Sequence, residues 1–425
     1  MAQLGSSLTC AGAEKAGNKD GVAAYTGKWL GAPAGISGTA EPTQDPYADE
    51  KPLYTISAQN AAQYAAFLSP GQLAMFKKYA SYKMPVYPSH RDFRYPDWVC
   101  ERTKENAKNA VLVDDGLGVE GVRGGLAFFP FPKTGLELAT NAIFSFRASE
   151  AAIYDVATVY PDGKISWSRQ DFKILAHLSD PDAKPASTVG TLSMQANVSL
   201  ILPLRSAGVA YVAHDYFNIK THPRLAYGYD PGTRRVRQNP AFGFDAPDST
   251  TGVRTIDEDR IFNGSPERYD WKIVGKKSML IPYNAYGLDD SSVSYKSLLT
   301  PGYLNPEHAR YEMHRVWVLE ATVKPNFRHK YAKRVIYIDE DTWQAVMTEI
   351  YDARGQLWHF NQVNLKYDYN AQMYVSRIST YNDLLRDLYV ADRMFNEIPT
   401  KPKYGKAAGL DSSMFTPEYA RRMGR

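Results

Sequence analysis

The chain is poor in the groups that most catalytic and redox chemistry needs. It has two cysteines in 425 residues. Neither Cys10 nor Cys100 lies in a CxxC or beside a histidine, which argues against a thiol redox centre or a cysteine metal site. Two readings stay open for them, one Cys10–Cys100 disulfide or two separate buried thiols. No apolar run reaches 18 residues, so no transmembrane helix is expected. The first residues lack a charged n-region and an apolar h-region, so no signal peptide is expected in the chain as it stands. Charge is nearly balanced, with 50 Lys plus Arg against 46 Asp plus Glu, and no long basic run occurs. That gives nucleic-acid binding little support. The 8 histidines form no ligand cluster. No H-E-x-x-H and no G-x-S-x-G appears, so neither a zinc protease site nor a nucleophile elbow is signalled.

What is abundant is apolar and aromatic surface, 44% hydrophobic residues and 30 tyrosines. Residues 328–363 show how it is used. Runs at 334–338, 343–351 and 357–363 are separated by Asp- and Gly-bearing breaks, the pattern of an antiparallel meander. Further strands are expected at 143–146, 153–160, 165–172, 198–204, 209–217, 224–229, 234–238 and 311–320. Two hairpins turn on Pro161-Asp162-Gly163 and on 230–233. Ser57 and Ser69-Pro70 open two amphipathic helices, and 381–395 reads as a last helix.

Few motifs carry chemistry. Residues 116–121 match G-x-G-x-x-G, but Pro130 and Pro132 forbid the helix that a dinucleotide site requires, so we read a glycine-rich turn. Glu312 and His314 share a strand face and read as a polar pair. The acidic triplets 257–259 and 339–341 read as turns, lacking the spacing of a calcium loop. Arg315, Arg328, Lys330, Lys333 and Arg334 form a local basic set. Of these, Arg315 and Arg334 are candidates to meet an acidic headgroup or a partner surface, with solvated strand edges as the plainer reading. Trp167, Trp317, Tyr337 and Trp358 are the candidates to line an apolar trough, against ordinary core packing.

Long stretches make the chain similar to a known family. They include LGSSLTCAGAEKAGNKDG (4–21), KMPVYPSHRDFRYPDWV (83–99), GGLAFFPFPKTGLE (124–137), YDWKIVGKKSMLIPYNAY (269–286), ARYEMHRVWVLEATVK (309–324) and RHKYAKRVIYIDEDTWQAVMTEIYDARGQLWHF (328–360). By these the chain resembles the bacterial domain of unknown function 1329, whose fold is related to the LolA/LolB lipoprotein carriers. Two places depart from the pattern: Cys10 stands where proline is usual, and 137–146 lacks a Trp-Asn-His-like triplet.

The resemblance implies a mainly β, α+β fold, with a curved antiparallel sheet forming an open barrel and helices plugging its concave side. It implies the periplasm, with Ala2-Gln3 following a removed leader and Met1 added. It also implies work alongside a resistance-nodulation-division transporter or an outer-membrane protein. No catalytic residues, cofactor or metal come with it. The expected layout is one structural unit: an arm at 1–56, a helical and Pro-rich segment at 57–110, the sheet at 111–380 with an insertion at about 239–308, and a helix and tail at 381–425. The expected function is that of a non-enzymatic carrier or binding protein for a lipid or other hydrophobic compound. The alternatives are a ligand-free accessory subunit and, with no motif behind it, a lipid or ester hydrolase.

Overall fold

The computed structural model describes residues 2–36, 44–185, 190–238, 245–248 and 250–424. Within them, sixteen strands share one sheet. The first eight are β1 (Tyr54–Ser57), β2 (Lys83–Val86), β3 (Glu150–Val159), β4 (Ile165–Ala176), β5 (Leu192–Leu202), β6 (Ala210–Tyr216), β7 (Leu225–Asp230) and β8 (Arg235–Gln238). The rest are β9 (Tyr269–Pro282), β10 (Tyr311–Val323), β11 (Lys333–Asp339), β12 (Ala345–Tyr351), β13 (Leu357–Asp368), β14 (Met373–Asp383), β15 (Leu388–Met394) and β16 (Lys403–Tyr404). Helices are few: α1 (Pro70–Lys78), α2 (Asp97–Asn109), α3 (Gly135–Ile143) and α4 (Pro417–Met423), with a single turn at Tyr295–Leu298.

Strands β3 to β8 form one antiparallel meander. Strands β9 to β15 form another. Pairing of β15 with β3 joins the two meanders. The far edges are therefore β8 and β9, and the sheet does not close into a barrel. A parallel contact between Val86 and Tyr311 adds β2, which carries β1 with it, so the sheet is mixed. Turn chemistry sets the hairpins. Asp162, Asp230 and Asp352 each accept backbone N–H groups two residues on, and Gly163 and Gly355 take positive φ of 80° and 75°.

Edges β8 and β9 are consecutive in the chain, and the described residues between them, 245–248 and 250–268, run back over the sheet. We call residues 250–263 the strap. Arg254 bonds Asp392 on β15 at 3.0 Å. Glu258 accepts from Asn361 at 3.0 Å and meets His359 at 2.8 Å, both on β13, and Asp257 meets Arg334 of β11 at 2.6 Å. Side chains alternate along a strand, so Phe360, between His359 and Asn361, faces the other way. There it meets α1 so closely that a Cβ on Gly71 would come 2.2 Å from its ring. The middle of the sheet is thus covered on both faces. The same holds nearer β8. Asn197 donates to the Met414 carbonyl at 2.7 Å, whereas its neighbour Ala196 lies on the face of Ile174.

Double coverage explains the main departure from the sequence reading. Residues 381–395 are not a helix but the end of β14, a turn and β15. All seven residues of β15 are buried, so the polar–apolar alternation that marks a strand is missing. Asp383 makes the turn by accepting from the N–H groups of Leu385 and Arg386. In place of the strand expected at 143–146, Ile143 ends α3, which a capping box between Thr134 and Glu137 starts, and 144–146 follow as irregular chain. The first expected helix is a 3₁₀ segment, Ala61–Phe67, while Ser69 caps α1 as read. The run inside the expected insertion is the full strand β9, paired with β10 along its length. Residues 239–244 and 249 of that insertion, and 1 and 37–43 of the expected arm, lie outside the described residues.

The arm is tied down at several points. Trp343 donates its indole N–H to the Ala11 carbonyl at 2.9 Å, Arg315 donates to the carbonyls of Glu14 and Ala16, and Cys10 is disulfide-bonded to Cys100 of α2. That bond spans 90 residues, worth about 4–5 kcal/mol in the chain-entropy picture. Cys100→Ser, or reduction of the bond, is expected to lower the thermal midpoint by several degrees. Calorimetry with and without reductant measures it, and an unchanged midpoint would show that the arm adds nothing.

Candidate functional site

The sheet and its covering segments line a partly open cavity of about 380 Å³, within the ~300–1,000 Å³ usual for ligand clefts. Its floor is built by register. Ala176 of β4 faces Met194 of β5, Ile174 lies two residues away on the same face, and Met194 in turn faces Asp215 of β6. The wall is aromatic: Phe144, just past α3, stacks on Phe217 at 5.5 Å. The hairpin 111–120 completes it through Leu112, Leu117 and Val119, and the strap and its exit close it with Arg260, Phe262 and Asn263. The sequence's G-x-G-x-x-G belongs to this wall as a turn. A Cβ on Gly116 would lie 2.1 Å from Leu136 of α3, so glycine lets the hairpin seat against the helix.

Among this apolar surface stand four arginines, Arg147, Arg224, Arg260 and Arg393. Arg224 is spent on Asp215 and on Asn263, the latter at 2.8 Å. Arg393 sits at a bulge of β15, with φ of 62° and a register shift between Ala391 and Met394. Bulges re-aim side chains, and here the guanidinium lies 4.6 Å from the Phe172 ring centroid and 3.6 Å from both Glu150 and Asp259. Arg260 and Ile261 adopt φ of 48° and 76° in succession, a backbone costing about 1–3 kcal/mol per residue. Arg147 bonds to the Ile143 and Ser145 carbonyls and the Ser145 hydroxyl. Burial and the nearby Arg260 together pull Arg147 well below the usual arginine range. Burial also lowers Arg260.

The strap that delivers Arg260 is held by buried charge. Burial alone would raise Glu258, but His359, Arg334 and the Tyr331 hydroxyl outweigh it and hold the carboxyl far below its usual range. Burial would lower His359, yet Glu258 and Asp383 raise it. Arg334, expected to meet a headgroup, is buried and paired with Asp257 as an anchor of this strap. Arg315 is likewise engaged, with Glu340 at 2.5 Å and the arm.

The four aromatics named from the sequence are not in the cavity wall. Trp167 is seven residues from Ile174, hence on the other face of β4, packed 5.3 Å from Tyr295. Trp317 stacks on Trp343 at 6.2 Å beneath Lys276. The Tyr337 hydroxyl donates to Glu349 at 3.1 Å, and Trp358 packs edge-on against Tyr331. Conversely, Arg147 and Arg260 were not singled out. A lone arginine inside the aromatic run 144–148 was the available signal.

His314, Asp339 and Asp341 bring donor atoms within 4.8 Å of one another, a spacing a cation could use. Arg91 already fills that part, bonding both Asp341 oxygens at 2.7 Å. Burial and the adjacent Asp341 push Asp339 up to about 7.

Comparison with known proteins places the chain. The model of a family of proteins of unknown function, DUF1329, matches residues 55–421. An uncharacterised protein of Pseudomonas aeruginosa is 41% identical over 429 aligned residues, covering 100% of this chain and 93% of that one. The chain belongs to the DUF1329 family. Among solved structures, a DUF1329 family protein from Desulfovibrio piger aligns with a TM-score of 0.45 and 14% identity, over 67% of this chain and 96% of its own. A LolA superfamily protein from Nitrosomonas europaea gives 0.39 and 14%, over 67% and 97%.

The strap's anchor predicts its own pH window. The lowered Glu258 and Asp383 stabilise above an unfolded carboxylate pKa of about 4, and this is lost as pH falls. The raised His359 stabilises below an unfolded pKa of about 6.5, and this is lost as pH rises through its folded value. Protection of residues 255–263 against hydrogen exchange should therefore peak between about pH 4.5 and 6.5. His359→Gln should flatten the alkaline side and also weaken the acid side, because His359 is among the groups that hold Glu258 and Asp383 low, and equal protection from pH 3.5 to 8 would refute the assignment.

Proposed function

We propose that the protein is a periplasmic carrier or binding protein for a lipid or other hydrophobic compound. The observation carrying this is the cavity of about 380 Å³, walled by Ile174, Met194, Phe144, Phe217 and Phe262 and roofed by a strap and hairpin rather than filled by side chains. Apolar contact inside it is worth about 0.8 kcal/mol per buried CH₂, less the cost of immobilising the guest. An open sheet with a strap between its edges suits loading and release better than a sealed core. The Cys10–Cys100 disulfide suits an oxidising compartment, and among the described residues no helix is long and apolar enough to cross a membrane. Handover to a resistance-nodulation-division transporter or an outer-membrane protein is part of the proposal, tested by co-purification from envelope fractions.

Binding itself is tested by native mass spectrometry and solvent extraction of protein made in a Gram-negative host. Copurifying or added alkyl compounds should be retained one per chain. Met194→Trp and Ala148→Trp place bulk in the cavity and should reduce uptake of a fluorescent alkyl probe about tenfold or more, with the thermal midpoint within a few degrees of wild type. Empty protein that takes up no alkyl probe would end this reading.

A further inference from the structure

The cavity's polar side points to what kind of guest it takes. Arg147 lies within ion-pair distance of no carboxylate among the described residues, and its donors reach only backbone carbonyls and one serine hydroxyl. Arg260 has Nε buried without an acceptor, 3.7 Å from Asp259, and turns Nη2 toward the Met194 sulfur at 3.8 Å. Arg393 also buries Nε without an acceptor. The carboxylates nearby are shared out. Asp215 serves Arg224, while Asp259 serves Arg254, Arg260 and Arg393 in turn at 3.3 to 3.7 Å. Guanidinium groups left short of acceptors in a half-buried site lose hydration that an anion can replace. Their fork of N–H donors matches carboxylate and phosphate oxygens.

Three separate backbone devices deliver these groups: the turn after α3, the paired left-handed residues of the strap, and the bulge in β15.

Resting on the binding reading above, we propose that the guest is an anionic amphiphile. Its oxyanion head lies between Arg147 and Arg260, and its alkyl part lies along Phe144, Phe217, Ile174 and Met194. A carboxylate head would come from a free fatty acid and a phosphate head from a phospholipid or an alkyl phosphate. Both offer the same recognition to two guanidinium forks. The apolar wall sets affinity without regard to the head, and the arginines set which heads are admitted.

The test is calorimetric titration of the purified protein with four probes sharing one dodecyl chain: dodecanoate, dodecyl phosphate, dodecanol and dodecyltrimethylammonium, the ionic probes below their micelle concentrations and dodecanol below its solubility limit. Dodecanoate and dodecyl phosphate should bind at least about tenfold more tightly than dodecanol, with the cation weakest. The preference should shrink as salt rises. The tighter of the two anions identifies the source. Arg147→Met and Arg260→Met should each weaken the anionic probes roughly tenfold to a hundredfold and leave dodecanol unchanged. Arg147→Lys and Arg260→Lys should restore part of the loss. The wild-type ranking decides even if a methionine variant fails to fold. Dodecanol binding as tightly as dodecanoate would overturn this inference and leave the carrier reading standing, whereas no binding of any of the four would end both.

Discussion

Everything at the site depends on one buried electrostatic knot, in which Asp257 and Glu258 of the strap meet Arg334 and His359 of the sheet. Ion pairs at the surface contribute little. Buried ones contribute through geometry, because breaking one strands a charge in a poor solvent and every alternative placement of the strap would do so. The capping box of Thr255 and Glu258 rigidifies the same turn, and the Tyr381 hydroxyl accepts from the Arg260 N–H two residues on. The strap therefore has a fixed address over the sheet. Beneath it the protein need not fill every volume with side chains, because the roof is pinned by these charges together with the buried Val253 and Ile261.

The fold was legible wherever local chemistry speaks. Asp and Gly at 162–163, 230–232 and 352–355 gave the hairpins, and Ser69-Pro70 gave the start of α1. Reading failed where tertiary context removed the local signal. Strand β15 is buried on both faces and so carries no alternation. Its approach, Asn382 to Asp387, then reads as helical because Leu384 and Leu385 fall beside charged residues. The end of α3 looked extended because aromatic residues cluster there, although Thr134 and Glu137 announce the helix.

The site was less legible still. Tryptophans attract attention in a search for a greasy trough, yet in this sheet Trp317 and Trp343 are used as packing partners for each other and Trp167 sits on the other face of β4. The cavity is lined mostly by medium-sized residues with no individual signature, such as Ile174, Ala176 and Met194. Arg334 and Arg315 were visible as a basic set, but neither sequence spacing nor charge tells an anchor from a recognition residue. What separates them is whether a carboxylate lies opposite, and that is settled by strands far apart in the chain.

Among the described residues the sheet's first and last ladders do not meet. A closed cylinder of strands has its girth fixed by strand number and stagger, so widening it means breaking a row of backbone hydrogen bonds. Here the seam is bridged by chain rather than by a ladder. The curvature can relax by small changes of twist spread over many strands while every existing pair stays intact. Such a wall can change girth without unfolding, as a cuff fastened by a tab fits wrists that a solid ring would not.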